Sequence, residues 1–481
     1  MTVPILIALW RCACGTLDIY ADQQWSEVRK LAESHEVDID HAMDPIPVVP
    51  AAENFMSQPY LQACLFDPEG ETVNQMAALA EKCRGPLIDF LPSLDAGSTA
   101  RLSAVLSGIR KAAPEFMPVT KAKEPTAETL LRVTDGIGIP WSELDEATGL
   151  LHAQMPPWGA TPPTDDYTPP LVFSVSSGAL IRFSRIATLR THAALALKQP
   201  GPALASLRIQ SRMADAHFHH ATLASTIFGS FFVQNMISQI HAGFRSRQWT
   251  EADIAWFAEW AGKIDFLVLL NQASKMECIY SIRYAESLRT DPGFEDRMLR
   301  SIAGDPAVME TLSEAAMPFQ QDWLAPFRGN SEFLYRLAPR GAFTLLEAQS
   351  LMTYFDDYLS LLKKGGLHEY AWQAKENRVS SKVISYPQLG AGFAAHQSRI
   401  NLLRTACALH QWHAAHGDYP KVLEGLQPGL PESACLDVCS GKPLHYERVS
   451  RNSYRLRAVG VDRIDDGGKP MAGGKGDIVW K

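Results

Sequence analysis

The sequence predicts a mainly α-helical protein, an irregular helical array that ends in a small C-terminal α+β domain. Between residues 178 and 392 apolar side chains recur at helical spacing, and short breaks rich in proline and glycine separate the stretches. Near residue 443 the spacing changes to two residues, the period of a β-strand. The chain has 481 residues, more than one hydrophobic core usually holds, so we expect two or more domains.

The chain begins with an apolar run, residues 3–10, which Arg11 interrupts. A membrane-spanning helix needs about 20 apolar residues, so this run is too short on its own. We interpret residues 1–24 as a truncated membrane anchor, the far end of a span whose beginning is missing from the sequence. A short buried strand or helix is the alternative, and the sequence leaves both open.

Residues 25–155 form a predicted N-terminal helical region. Trp25, Val28 and Ala32 lie on one helical face. Three prolines between residues 44 and 50 cannot continue this helix, because proline lacks a backbone donor and has a restricted φ. Residues 156–177 are predicted to be an extended connector, since six prolines fall between residues 156 and 170.

The helical array is predicted over residues 178–392. Thr250 suits an N-cap with Asp253 three positions later, and Ile254 and Phe257 begin the apolar face that follows. Residues 187–215 resemble a tetratricopeptide-like hairpin, two alanine-rich helices around a short proline and glycine break. No second copy recurs at a fixed period, so the predicted array is irregular.

The last domain, residues 395–481, is predicted to contain one helix and a small antiparallel sheet. Residues 398–416 have helical spacing. Residues 444–447 and 454–458 alternate apolar and polar side chains, and the turn-prone Arg-Asn-Ser at 451–453 joins them. A loop rich in aspartate and glycine follows, and the chain closes with Asp-Ile-Val-Trp at 477–480.

This order of features resembles the globular end of the major pseudopilin of type II secretion. The resemblance rests on the helix, Gly-Asp-Tyr-Pro at 417–420, the short strands, the Asp/Gly loop and the terminal Asp-Ile-Val-Trp. It implies a pseudopilin-like α+β fold and an extracytoplasmic compartment. It also implies a calcium ion that orders the C-terminus.

The candidate calcium ligands are carboxylates of the Asp/Gly loop, because calcium binds six to eight oxygens on a loop that can fold around it. They are Asp462, Asp465, Asp466 and Asp477. Lys469, Pro470 and Lys475 place positive charge and stiffness in the same loop. The alternative is a solvated turn in which each aspartate caps its own backbone.

The front of the chain carries a second resemblance. An apolar run, a Trp-bearing helix and a Pro-rich segment lead into Glu-Asn-Phe at residues 53–55. This order resembles membrane-anchored envelope proteins of planctomycete or verrucomicrobia type, which often end in a pseudopilin-like domain. The resemblance implies an anchor in the cytoplasmic membrane and a body outside it.

Net charge argues against a nucleic-acid-binding protein, and cysteine spacing argues against a disulfide-rich protein. The formal net charge is −8 and the sequence has no run of Lys and Arg, so we expect no nucleic-acid partner. The eight cysteines are scattered along the chain and do not form a dense disulfide framework. We expect packed or free thiols, although Cys435 and Cys439 are close enough in sequence to approach each other.

Two groups of histidines could bind zinc if further ligands joined them. They are His217, His219, His220 and His241 in the array and His410, His413 and His416 in the last helix. The alternative is polar packing for the first group and, for His413 and His416 of the second, a solvent-facing position near the helix end. No glutamate stands in His-Glu-x-x-His register. A Gly-x-Ser-x-Gly elbow, a phosphate loop and a dinucleotide-binding glycine pattern are also missing from the sequence, so no catalytic residue is predicted.

The preferred interpretation is a non-enzymatic, membrane-anchored extracytoplasmic scaffold or binding protein with a pseudopilin-like C-terminal domain. Its expected partners are the membrane and a protein that the sequence does not identify. Two alternatives stay open. One is a metal-dependent hydrolase that uses histidines of the helical body. The other is a component of a type II secretion-like system, although some 390 unrelated residues precede the pseudopilin-like domain.

Overall fold

The computed structural model describes residues 19–20, 22–37, 49–66, 127–155, 172–219, 222–276, 279, 386–426, 429–471 and 475–480. These residues confirm the predicted fold class, mainly α with a small C-terminal antiparallel sheet. The helices are α1 (Pro59–Phe66), α2 (Ala127–Gly136), α3 (Trp141–Ala147), α4 (Val172–Ala196), α5 (Pro200–His219), α6 (Leu223–Arg245), α7 (Glu251–Gly262) and α8 (Tyr386–His416). The strands are β1 (Leu436–Asp437), β2 (Lys442–Pro443), β3 (His445–Ser450), β4 (Ser453–Ala458) and β5 (Ile478–Trp480). Residues 22–34 and 266–276 are also helical.

The helices α4, α5 and α6 pack on one another and form the centre of the helical body. The Thr222 side chain accepts a hydrogen bond from Ser225 N and so caps the start of α6. The predicted cap at Thr250 is confirmed, because Thr250 and Asp253 form a reciprocal capping box at the start of α7. Local sequence therefore sets where these helices begin.

A layer of buried polar side chains joins the three central helices. Ser184 Oγ donates to Gln210 Oε1 at 2.9 Å, and Asn235 Nδ2 donates to Ser184 Oγ at 3.3 Å. Gln210 Nε2 donates to Gln239 Oε1 at 3.2 Å, and Gln239 Nε2 donates to Thr188 Oγ1 at 3.1 Å. A buried amide without a partner is costly, so this layer favours one register of the three helices.

Arg190 on α4 connects the central helices to the elements before them. Its Nε donates to Asp135 at 2.7 Å, and its Nη1 donates to Pro202 O at 2.7 Å and to Ser206 Oγ at 3.1 Å. The guanidinium also lies 4.6 Å from the ring centre of Trp141. Arg190 is 7% exposed and reaches Ser206 inside the core, whereas the Asp135 side chain is 46% exposed, so the ion pair stays in contact with water.

The Glu-Asn-Phe motif has a structural role in the front of the molecule. Asn54 Nδ2 donates to Gln154 O at 2.8 Å, and Asn54 Oδ1 accepts from Gln154 N at 2.8 Å. Phe55 N donates to His152 O at 2.9 Å. One buried amide therefore ties together two segments that are 100 residues apart in the chain.

The residues that follow α8, here called the C-terminal unit (417–480), carry the sheet. Strands β3, β4 and β5 form an antiparallel sheet in that order, in which Leu456 pairs with Tyr446 on one side and with Trp480 on the other. The β3–β4 hairpin turns at the predicted Arg-Asn-Ser. Strands β1 and β2 form a separate antiparallel pair.

The long helix α8 belongs to the helical body and to the C-terminal unit at once. It packs on α6 and α7 and also on β4 and β5. It runs without a break from Tyr386, so the predicted boundary between residues 392 and 395 falls inside the helix. Buried side chains of the helices and of the sheet form one continuous core.

Several predicted features fall outside the described residues: the apolar run at 3–10, most of the proline-rich connector, and residues 280–385 of the array. The predicted end of the connector was wrong, because α4 already begins at Val172, where the apolar sequence after Pro170 can start a helix. Within the described ranges no helix is both long enough and apolar enough to cross a membrane.

Candidate functional site

The Asp/Gly loop (residues 460–477) closes on the buried carboxylate of Asp477. This residue is 1% exposed and stands just before β5. Its Oδ1 accepts from Asp466 N at 3.1 Å, its Oδ2 accepts from Gly468 N at 2.6 Å, and Arg457 Nε lies 3.3 Å from Oδ2. Two backbone donors and one guanidinium therefore neutralise the buried charge.

Arg457 on β4 also binds Asp465, so that one guanidinium bridges two of the four candidate ligands. Its Nη2 lies 3.0 Å from Asp465 Oδ1 and 3.1 Å from Oδ2. Gly467 N donates to the same carboxylate at 2.9 Å. The Gly467 hydrogen bond and the Arg457 charge lower the pKa of Asp465, since both stabilise its ionised form.

The other two candidate ligands differ in their surroundings. Asp462 Oδ1 accepts from Ile464 N at 3.2 Å, and its Oδ2 accepts from Gly476 N at 2.9 Å. Asp466 contributes its backbone N–H to Asp477, and its own side chain is exposed. Asp462 thus caps backbone groups, whereas the Asp466 carboxylate points into solvent.

Two glycines let the loop close as tightly as it does. Gly460 has φ of +75°, and a Cβ placed on it would lie 2.5 Å from Gly476 O. Gly476 has φ of +100°, and its added Cβ would lie 2.9 Å from Lys469 O. At both positions the backbone lies in the left-handed region, and an added Cβ would contact a backbone oxygen. Only glycine therefore fits without rearrangement.

Within the described residues, the Arg457 guanidinium contacts carboxylates of this loop that were predicted to bind a metal. No group of three or more His, Cys, Asp or Glu side chains in the described ranges is arranged to hold an ion. A calcium ion would have to displace Arg457 from Asp465 and Asp477. The calcium site therefore stays a prediction, and a calcium ion would compete with the Arg457 guanidinium for the same carboxylates.

A second buried carboxylate, Asp437, organises the other side of the C-terminal unit, and the sequence analysis missed it. It is 0% exposed. It accepts four hydrogen bonds, from Ser398 Oγ at 3.0 Å, Cys439 N at 3.0 Å, Ser440 Oγ at 2.6 Å and Val459 N at 3.1 Å. These donors come from α8, from the turn after β1 and from the end of β4. The Asp-Val-Cys-Ser-Gly turn sequence was the available signal, since aspartate often caps such turns.

Trp480 on β5 joins the C-terminal unit to the helical body. Its ring centre lies 4.7 Å from that of His241 and 5.8 Å from that of Phe244, both on α6. Phe244 in turn lies 4.6 Å from His410 on α8. The Asp-Ile-Val-Trp signature thus has two functions in the fold, because Asp477 closes the loop and Trp480 docks the sheet.

The predicted zinc histidines are not brought together within the described part of the chain. His217 is buried and stacks on Phe232, with ring centres 5.5 Å apart. His219 is exposed, and His220 lies outside the described residues. At the end of α8, His416 stacks on Trp412 at 3.9 Å. His217 thus packs against an aromatic ring, where polar packing was the alternative to zinc, and His416 lies on an exposed part of the helix end.

The described cysteines are free, and burial makes their thiols less reactive. Burial raises the pKa of Cys64 to about 11 and that of Cys439 to about 12. It also raises the pKa of Cys407 and Cys435. A nucleophilic cysteine needs a lowered pKa, so these side chains are suited to packing rather than to attack on a substrate.

Comparison with known protein families, with curated proteins and with solved structures finds no match to this chain.

Proposed function

We propose that the protein is a non-enzymatic scaffold or binding protein of the cell envelope, anchored in the cytoplasmic membrane, that presents its pseudopilin-like C-terminal unit to a protein partner. The observation that carries the proposal is the shared helix α8. Because α8 packs on α6, α7 and the sheet, the C-terminal unit has a fixed position on the helical body. A rigid joint suits presentation of a binding surface, whereas a flexible linker would not hold one orientation.

The chemistry of the described side chains supports a binding protein over a hydrolase. The thiols of Cys64, Cys407 and Cys439 have raised pKa values. Burial lowers the pKa of His192 and of His410 to about 4, so both imidazoles are neutral at pH 7. General acid–base catalysis favours a pKa near the working pH, and these groups are far from it.

The anchor is tested by fractionation of the untagged native protein. We expect the protein in the membrane fraction, released by detergent and retained in high salt, because the apolar run at residues 3–10 would contribute hydrophobic contact with lipid. A triple change of Ile5, Leu6 and Ile7 to aspartate should move it to the soluble fraction. The matched change of the same three residues to valine should leave it with the membranes. Native protein in the soluble cytosol would contradict the anchor.

The calcium part of the proposal is tested on the full chain by thermal unfolding. Calcium bound by the Asp/Gly loop should stabilise the folded protein by mass action, about 2.7 kcal/mol at a hundredfold excess over the dissociation constant. The melting temperature is expected to rise with millimolar calcium but not with magnesium, and Asp462→Ala should abolish the rise. An unchanged melting temperature would leave Arg457 as the cation of this loop and the pseudopilin resemblance as one of fold alone.

A further inference from the structure

Arg457 connects three parts of the C-terminal unit. It lies in β4, where its cross-strand neighbours are His445 on β3 and Val479 on β5. Its guanidinium contacts Asp465 in the Asp/Gly loop and Asp477 just before β5. One side chain therefore holds the loop against the sheet.

The guanidinium takes up acceptor positions that a bound ion would need. Arg457 Nε lies 3.3 Å from one oxygen of Asp477 and 3.3 Å from one oxygen of Asp465. Its Nη2 lies 3.0 Å and 3.1 Å from the two oxygens of Asp465. Three backbone N–H groups of the loop donate to the same two carboxylates. Calcium binds six to eight oxygens, so it would have to replace some of these donors.

The charges of the loop balance only when Arg457 is counted. The loop contains four aspartates and three cations, which are Arg463, Lys469 and Lys475. Arg457 supplies the fourth positive charge. His445 Nδ1 lies 3.6 Å from Asp465 and adds a charge only when the imidazole is protonated. Without Arg457 the loop would keep a net negative charge, which favours a bound cation.

The loop is closed around this guanidinium. Asp477 is 1% exposed, and Gly460 and Gly476 let the two ends of the loop pack in direct backbone contact. Carboxylates on such a loop suit calcium by their chemistry, but the Asp477 oxygens already have three donors. A state open to the ion is one from which the guanidinium has withdrawn. The scarcity of that state lowers the apparent affinity for calcium.

We propose that Arg457 is a built-in competitor for calcium, which closes the Asp/Gly loop in the absence of the ion and sets the calcium affinity of the loop. The proposal rests on the calcium part of the proposed function and deepens it, because it names the residue that regulates the loop. In this arrangement the C-terminal unit is ordered without calcium. The loop responds only to calcium concentrations high enough to displace the guanidinium.

The test is isothermal titration of three calcium-free, full-length proteins with calcium chloride: the unmodified chain, Arg457→Gln and Arg455→Gln. Arg455 is the matched control, because it removes the same charge from the same strand. Its side chain is 68% exposed, against 20% for Arg457, and it pairs with Glu447 outside the loop.

The expected gain in affinity follows from the hydrogen bonds that the guanidinium gives up. Hydrogen bonds to a charged group correspond to a factor of about 10–100 in an equilibrium constant. Arg457→Gln should therefore bind calcium about 10- to 100-fold more tightly than the unmodified chain. Arg455→Gln should change the affinity less than about fivefold, as for an exposed ion pair.

Thermal unfolding is the second measurement. Without calcium, Arg457→Gln should melt at a lower temperature than the other two proteins, and millimolar calcium should recover most of that loss. Equal calcium affinity in all three proteins would overturn the proposal and leave the calcium site of the proposed function standing. A failure of Arg457→Gln to bind calcium would overturn the proposal, and the calcium site would fall with it.

Arg457→Lys covers the case in which Arg457→Gln does not fold without calcium. Lysine keeps the charge but cannot reproduce the fork of hydrogen bonds, so it should compete less well than arginine. Calcium should then bind more tightly than to the unmodified chain, with a smaller gain than for glutamine. An affinity of Arg457→Lys equal to or weaker than that of the unmodified chain would overturn the proposal.

Discussion

Replacing Asp477 by alanine is expected to lower the free energy of unfolding by about 1.5–3 kcal/mol, the usual contribution of hydrogen bonds to a charged group. The change leaves the Arg457 guanidinium without its buried partner and removes the acceptor of Asp466 N and Gly468 N. These two backbone donors are part-buried in the loop, and the loss of their shared acceptor accounts for most of the effect. Urea unfolding followed by circular dichroism measures it as a lower transition midpoint.

The matched control is Asp466→Ala in the same loop. The Asp466 side chain is exposed and only its backbone N–H reaches Asp477, so the change should stay within about 0.5 kcal/mol. The comparison separates two views of the loop. If the four aspartates act together on one ion, Asp466 should matter in the presence of calcium. Equal losses for both variants without calcium would contradict a loop closed by Asp477 and Arg457.

Replacing Arg190 by leucine is expected to destabilise the helical body by about 1–3 kcal/mol, the usual cost of losing the partner of a buried polar group. Leucine restores some apolar contact with Trp141, but it removes the Arg190 donor from Pro202 O and Ser206 Oγ, which keep their hydrogen bond to each other, and it removes the cation beside Asp135. Lysine should recover only part of the loss, because an ammonium cannot reproduce the fork of three hydrogen bonds or stack on the indole in the same way.

Arg208→Leu is the control for Arg190. Arg208 lies on the same helical body, but its side chain is 40% exposed and its nitrogen is 3.8 Å from Asp145. An exposed pair of this kind contributes about 0–1 kcal/mol, so unfolding should change little. A loss for Arg208→Leu as large as that for Arg190→Leu would mean that burial of Arg190 does not account for its effect.

The sequence by itself determined the type and several ends of the local elements. Helical spacing around Ile254 and the Thr250 cap predicted α7, and alternation in residues 454–458 predicted β4, because both signals depend on neighbours within a few residues. The glycines of the Asp/Gly loop were likewise interpretable from sequence. Positive φ at Gly460 and Gly476 is a local requirement of a tight loop.

Only the tertiary structure decided which polar groups meet. Arg457 and Asp477 are 20 residues apart, and nothing local indicates that one guanidinium would bind two of the predicted calcium ligands. Asp437 gathers donors from three elements, and Asn54 pairs with a backbone 100 residues away. An aspartate or an asparagine looks the same in the sequence whether its side chain is solvated or buried. Long-range packing selects the partner of each such side chain. For that reason hydrophobic periodicity predicted the helices and strands but could not predict the site.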